Sequence, residues 1–458
     1  MTSPNCDGRT RRDTVRVGVL SALGLTLADA LRLAEATEQS RGSKRVVPGP
    51  ARPPAAPRAD AHGPKPVAPA ADAVIFIHLN GGPAHLDTLD MKPDAPADER
   101  SPFALIPSKL QGLPVCEHLP KLAHVLDRFT LLRGMSHSAG AHPQANEWLY
   151  TGNRPSPAVR YPALGSVAVH ERPGAADVPG FVAVPTTEMQ PGYLGVAYAP
   201  FKTNAVPRPG QKFGVRGLVL PNGVSADRIR QRDRLLRDLD TRLRAADAGN
   251  PLLEGLDRFG QQAQAMLLSP RAQAAFDVEK EAPSVAQQFG ADPFGQSLLL
   301  ASRLVEHGVR FVTVNSGGWD THLDNFSGLK DKLLPPFDAG IAALVQVLAD
   351  KGLLARTLVV AGGEFGRTPS VNKNAGRDHW PRAGWMLLAG GGVRAGQLIG
   401  GTDRKGHGPD DSTSITPDDI AASVFHALGI DPRREFATAS GRPVTLVPEG
   451  KVIAGLFG

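Results

Sequence analysis

Four stretches of the chain repeat one pattern: a short, continuously apolar run that breaks into a Gly-rich polar loop. "AVIFIHLN" (73–80) runs into "GGPAHLDTLD", and "VRFVTV" (309–314) into "NSGGWDTH". "TLVVAGG" (357–363) runs into "EFGRTP", and "GWMLLAGGG" (384–392) into "VRAGQLIGG". A strand with one wet face alternates apolar and polar residues, whereas a strand covered on both faces does not. Helical periods lie between the runs. "FGQSLLLASRLVEHG" places Leu298, Leu299, Ser302, Leu304 and Val305 at helical spacing and stops at Gly308. "LPPFDAGIAALVQVLADKG" opens on a Pro pair, and "TPDDIAASVFHALG" offers Thr416 as N-cap with Asp419 three positions on. Strands alternating with helices predict an α/β fold: a doubly wound, mostly parallel sheet with helices on both faces.

Such a sheet binds ligands beyond the carboxyl ends of its strands, and there the acids and imidazoles collect. His85, Asp87 and Asp90 follow the first run, Asp320, His322 and Asp324 the second, and Glu364 the third. "NAGRDHWPRAG" adds Asp378 and His379. Loops from distant parts of the chain that share this chemistry predict a common cation site. A lone Asp after a strand is usually a turn former or helix cap; it is the repetition that favours ligands.

The remaining regions are read by composition. Residues 1–40 begin with Arg11 and Arg12, continue through a modest apolar run over 15–28, and offer Ala34-Glu35-Ala36 as a small-x-small cleavage site. That run is too short to span a bilayer, which takes about 20 residues. It reads as a twin-arginine export signal, placing the protein in the periplasm or cell envelope and at most peripheral to a membrane. Residues 41–72 are Pro- and Ala-rich and read as a linker without a core. Residues 73–458 form the α/β domain, with 225–285, charged and helical in pattern, as an insertion or cap. Eleven Lys and Arg against seven Asp and Glu in residues 1–72 give that segment +4 of the net +6. The rest is too nearly neutral to track a nucleic acid. Of the two cysteines, Cys6 lies in the leader, so Cys116 would be the one thiol of the mature chain. An internal disulfide is excluded, and Cys116 reads as a buried small residue. Trp319, Trp380 and Trp385 read as core or wall.

With "GGPAHLDTLDMKPDAP", "HPQANEWLYTGN", "GWDTHLDN", "GEFGRTP" and "GRDHW", the chain from about residue 73 onward resembles the exported bacterial proteins grouped as domain of unknown function 1501. That group looks like a sulfatase-like branch of the alkaline phosphatase superfamily. The resemblance implies the superfamily's doubly wound sheet and metal-ligand clusters beside a nucleophile. Asp320 and His322 fall where the superfamily has an Asp…His pair. Glu364 falls where it has an Asp-His pair, and His379 resembles its later lone His. Two positions depart from the pattern. Asn80 stands where the superfamily places a metal-binding Asp, with Asp87 farther along. His142 heads the segment at whose start sulfatases carry Cys or Ser, while Ser136, Ser138 and Thr151 are off register.

The site is therefore expected to use Asp87, Asp320, His322, Glu364, Asp378 and His379 toward a metal, Asp378 alternatively by orienting His379. Arg367 and Arg377 are expected to grip an anionic ester, and His142 to act as acid, base or ligand. Arg367 could instead pair with Glu364. Carboxylates and imidazoles suit zinc first, with manganese, magnesium or calcium as alternatives. The function expected is hydrolysis of sulfate or phosphate esters, sulfated or phosphorylated glycans among them, by water that the metal activates. The competing reading is a non-catalytic binding or assembly protein that has kept the fold.

Overall fold

The first apolar run forms strand β1 (Ala73–Leu79), which is buried along its whole length. Its alternate side chains enter two different cores. Ile75, Ile77 and Leu79 join one cluster of buried residues, and Val74 and Phe76 join the other. Two cores on one strand explain why the run lacks polar alternation. Burying each such side chain stabilises the fold by roughly 1.5–3 kcal/mol relative to exposure.

This is a computed structural model, and it describes residues 68–215, 265–410, 414–438 and 441–458, together with 218, 225, 227–229 and 231. The leader (1–40), nearly all of the linker (41–72) and most of the 225–285 insertion lie outside the described residues.

Among the described residues β1 sits inside an eight-stranded sheet. The other strands are β2 (Thr130–Arg133), β3 (Phe181–Val184), β4 (Phe201–Lys202), β5 (Phe311–Ser316), β6 (Thr357–Gly362), β7 (Trp385–Ala389) and β8 (Gln397–Ile399). Their spatial order is β8-β2-β7-β6-β1-β5-β3-β4. β1 pairs in parallel with β5 and β6, as do β5 with β3, β3 with β4, and β2 with β8. β7 runs antiparallel to both β6 and β2. The sheet is thus mostly parallel, as expected. The fourth apolar run, however, points the other way from the first three.

Helices cover both faces. α1 (His142–Thr151), α2 (Leu164–Glu171) and α5 (Pro417–Ala427) supply Leu149, Leu164, Val167, Ile420 and Phe425 to the core of Val74 and Phe76. α3 (Pro293–Glu306) and α4 (Leu334–Asp350) supply Leu298, Leu304, Phe337 and Ile341 to the core of Ile75 and Ile77. Their ends follow the expected chemistry. Asp292 caps α3 by accepting from the Phe294 N–H. Thr416 and Asp419 form a reciprocal capping box on α5, satisfying two otherwise orphaned amides. Cys116 is fully buried, and burial pushes its thiol up to about 12, so it is held as an unreactive thiol.

Candidate metal centre

β1, β5 and β6 are adjacent and parallel, so the loops that follow them leave the same edge of the sheet. Gly81 and Gly82 let those loops touch. Gly81 has φ +114°, and a Cβ there would stand 2.3 Å from the Asp320 amide nitrogen. A Cβ on Gly82, at φ +80°, would stand 2.3 Å from the Phe365 carbonyl oxygen. The reversed direction of β7 brings its N-terminal end to this edge, and the residues leading into it include Asp378 and His379. α1 begins with His142, at the end of the segment that follows β2.

These residues meet around Asp320. Its Oδ1 lies 3.0 Å from His322 Nε2 and 3.2 Å from His379 Nε2, and its Oδ2 lies 3.3 Å from His142 Nε2. The Nε2 atoms of His322 and His379 are 3.0 Å apart. Donor atoms of His142, Asp320 and His379 all fall within 4.8 Å of one another.

Each imidazole is tied through its other nitrogen. His142 Nδ1 is 2.5 Å from Glu364 Oε1, His322 Nδ1 is 2.6 Å from Asp378 Oδ1, and His379 Nδ1 is 2.9 Å from the Gly140 carbonyl. A carboxylate or carbonyl can only accept, so each Nδ1 donates, and in the neutral ring each Nε2 keeps its lone pair for the cluster. This is how proteins orient metal-binding histidines. His142 Nε2 is enclosed and has no hydrogen-bond partner. Its 3.3 Å separation from Asp320 is within ion-pair range but lacks hydrogen-bond geometry. Lone pairs 3 Å apart repel unless a proton or cation lies between them. Three imidazole nitrogens and one carboxylate suit zinc or a similar divalent ion.

The structure redistributes several expected roles. Glu364 has no exposed surface, and its oxygens are already taken. Oε2 accepts from His78 Nε2 at 3.1 Å, and Oε1 accepts from His142 and from the Gly81 N–H at 3.0 Å. Burial alone would raise its pKa, but the hydrogen bonds from His142 and His78 outweigh it and hold the carboxyl down to about 2. Glu364 therefore lies beneath His142, and the donor facing the cluster is the imidazole. The same bond raises the pKa of His142, opposed by its partial burial. Asp378 likewise faces His322 Nδ1, not the gathered Nε2 atoms, and so orients His322 where His379 was the expected partner. His322 is also the first cause of its lowered pKa.

Neither arginine is displayed to a substrate. Arg367 is fully buried and donates to the carbonyls of Gly81, Gly82 and Arg377 and to Asp320. It pairs with Asp320, not with Glu364. Burial would raise the pKa of Asp320, and Arg367 more than reverses this. Arg377 grips Asp87 at two points, Nε to Oδ2 at 2.7 Å and a terminal nitrogen to Oδ1 at 3.0 Å, with both residues at 0% exposure. Asn325 also donates to Asp87, at 2.8 Å. The expected ligand and the expected anion clamp thus neutralise one another in the interior. His85 turns away, with Nε2 2.8 Å from the Gly406 carbonyl, and burial lowers its pKa.

Three residues escaped the sequence reading. His78 lies within β1, Tyr150 on α1 bonds its Nδ1 at 2.6 Å, and His137 Nε2 is 2.6 Å from the Glu364 carbonyl. The one available signal was His78 itself, an imidazole inside an otherwise apolar strand. Beside the cluster a cleft of about 270 Å³ is walled by Trp319, Phe294 and Phe337, with Asn315 and Lys332 among its polar groups. Trp319 lines this cleft while its neighbour Asp320 lines the cluster.

A family described as "Protein of unknown function (DUF1501)" matches residues 71–457. Among solved structures, the lipoteichoic acid synthase LtaP from Listeria monocytogenes is similar at 11% identity and TM-score 0.34, over 84% of this chain and 76% of that one. The PsFucS1 sulfatase from Pseudoalteromonas sp. is similar at 13% identity and TM-score 0.31, over 79% of this chain and 68% of that one. The PH0037 protein from Pyrococcus horikoshii is similar at 12% identity and TM-score 0.31, over 78% and 97%. No curated protein matches the chain.

Proposed function

The chain belongs to the DUF1501 family of proteins of unknown function, and from that premise we propose that it is an exported, metal-dependent hydrolase of sulfate or phosphate esters. One observation carries the reading: three Nε2 atoms, each freed by an acceptor on its own Nδ1, converge on the Asp320 carboxylate. His142, Asp320, His322 and His379 would hold the ion. A bound divalent ion supplies Lewis acidity and, for zinc, brings the pKa of water down to about 7.

The chain's own residues supply the frame. Glu364 and Asp378 aim His142 and His322, and Arg367 fixes Asp320 against the loop after β1. Asp320 and His322 keep 44% and 40% of their side-chain surface exposed, which leaves a face on which an ester can approach. Among the described residues no Ser, Thr or Cys side chain bonds to Asp320, Glu364 or these imidazoles. Thr151 is engaged by the Glu147 carbonyl within its helix. That favours water over a side chain as nucleophile. The substrate class is an anionic ester, such as a sulfated or phosphorylated glycan. Export rests on Arg11 and Arg12 and the apolar run behind them.

Metal analysis of the purified chain, followed by turnover of aryl sulfate and aryl phosphate esters, tests the proposal. We expect bound divalent metal and an activity that chelator abolishes. His322→Ala should reduce that activity by two orders of magnitude or more, on the order of what loss of a key charge-stabilising group costs. A chain that holds no metal and ignores chelator sinks the reading. Asn80 at the strand end and His142 in the nucleophile slot favour the alternative, a binding or assembly protein. That alternative expects turnover of neither ester, whether or not the chain holds metal.

A further inference from the structure

We infer that His78 and Tyr150, two core residues that no metal would touch, are positioning residues for the centre: a hydrogen-bond chain from Tyr150 through His78 to Glu364 sets the orientation of His142. The inference rests on the metal-centre reading above. Its basis is geometric. His142 and Tyr150 stand eight residues apart on α1, two i,i+4 steps that put them on one helix face. His78 projects from β1 between them. The Tyr150 hydroxyl is 2.6 Å from His78 Nδ1, His78 Nε2 is 3.1 Å from Glu364 Oε2, and Glu364 Oε1 is 2.5 Å from His142 Nδ1.

The direction of each bond follows from donor arithmetic. Ionised Glu364 has no proton to give, so His78 Nε2 and His142 Nδ1 are both donors. His78 Nδ1 is then the acceptor of the Tyr150 hydroxyl, which has no other partner to donate to among the described residues. The chain thus begins at a hydroxyl in the core and ends at the unpartnered His142 Nε2. Each link removes a rotamer or a tautomer. The Tyr150 bond forbids the flipped His78 ring, and the His78 bond holds Glu364 with one oxygen under His142. In the neutral ring, Glu364 in turn excludes the tautomer that would point an N–H at the cluster. An N–H there repels a cation, so loosening the far end of the chain should weaken metal binding without removing any ligand. The ring of Tyr150 also packs edge-on against His78, with centroids 5.0 Å apart, so the phenol is held whether or not its hydroxyl is present. Tyr150→Phe therefore isolates the hydrogen bond from the packing.

The test uses the full chain stripped of metal and titrated with Zn²⁺ or Co²⁺ against a competing chelator. Tyr150→Phe and His78→Leu are expected to weaken binding about tenfold, the lower end of what outer partners of metal ligands contribute. The visible bands of the Co²⁺ form should shift as His142 loses its fixed pose. His78→Gln, which keeps an N–H for Glu364, should bind within a few-fold of the parent. Unfolding of the metal-free chains serves as the control. The proposal stands if Tyr150→Phe loses affinity and alters the Co²⁺ bands while its metal-free stability holds. It is overturned if Tyr150→Phe matches the parent in both affinity and spectrum. It is overturned as well if affinity falls only in step with metal-free stability and His78→Gln restores nothing. A parent that binds neither ion removes the metal-centre reading, and this inference with it.

Discussion

Asp320 and Asp378 read alike in the sequence, as acids beside a histidine, yet they face opposite sides of one imidazole. Asp320 meets His322 Nε2, and Asp378 meets His322 Nδ1. Asp378→Asn should therefore lower zinc affinity by about 10–100-fold, as expected for the partner of a ligand, and Asp320→Asn should lower it further. Chelator-competition titrations of the two variants decide it, and equal losses would contradict the geometry. The same distinction explains what was legible at this scale. The sequence shows that Glu364, His142 and Asp378 have side chains able to bind metal. It does not show which oxygen meets which nitrogen, because that depends on partners 56 to 222 positions away. Glu364 consequently sits behind His142, bonded to its Nδ1. A single His in an apolar strand is commonly a satisfied core residue, and His78 is satisfied by the carboxylate that also bonds His142.

The elements were the most legible part, because their signals are local. The stop of α3 just before Gly308, the cap of α5, the Pro pair that opens α4, and the burial of β1 on both faces follow from spacing and end chemistry alone. The direction of β7 does not, since an apolar run looks the same in a parallel and an antiparallel pairing. That direction matters, because it delivers His379 to the edge where the parallel strands end. The contacts between elements also lay beyond local reading, above all the Asp87–Arg377 pair that ties the loop after β1 to the segment before β7. Arg377→Met should expose its worth. Leaving Asp87 buried without a countercharge should destabilise the chain by about 3–5 kcal/mol. Adding Asp87→Leu should recover part of that loss, since removing both partners of a buried pair is far milder than removing one. Urea denaturation of the single and double variants measures both terms. A single variant as stable as the parent would mean that the pair braces nothing.

At the scale of the whole molecule, one edge of the sheet gathers charge that folding and metal stabilise in opposite pH ranges. The pKa of Glu364 falls from its ordinary 4.5 to about 2 in the folded chain. Its contribution to stability is therefore complete above 4.5 and is lost as pH falls toward 2. The pKa of His142 is raised above 6.5. In the metal-free chain its contribution is complete below 6.5 and disappears as pH rises through the raised value. A metal ion needs the nitrogen that this proton occupies, so metal binding strengthens over the same rise in pH. Ligand at a hundredfold excess over Kd adds about 2.7 kcal/mol of stability. The gap in melting temperature between metal-loaded and chelator-treated protein should accordingly widen from about pH 6 to pH 8. In Glu364→Gln the lowest-pH loss of stability should be blunted, and the widening should begin at lower pH, because His142 no longer has a carboxylate to favour its proton. Calorimetric melts of the two chains across that range, each with and without chelator, make the comparison. A gap that stays constant with pH would show that no histidine proton is exchanged for the ion, and the cluster around Asp320 would then not be where the metal binds.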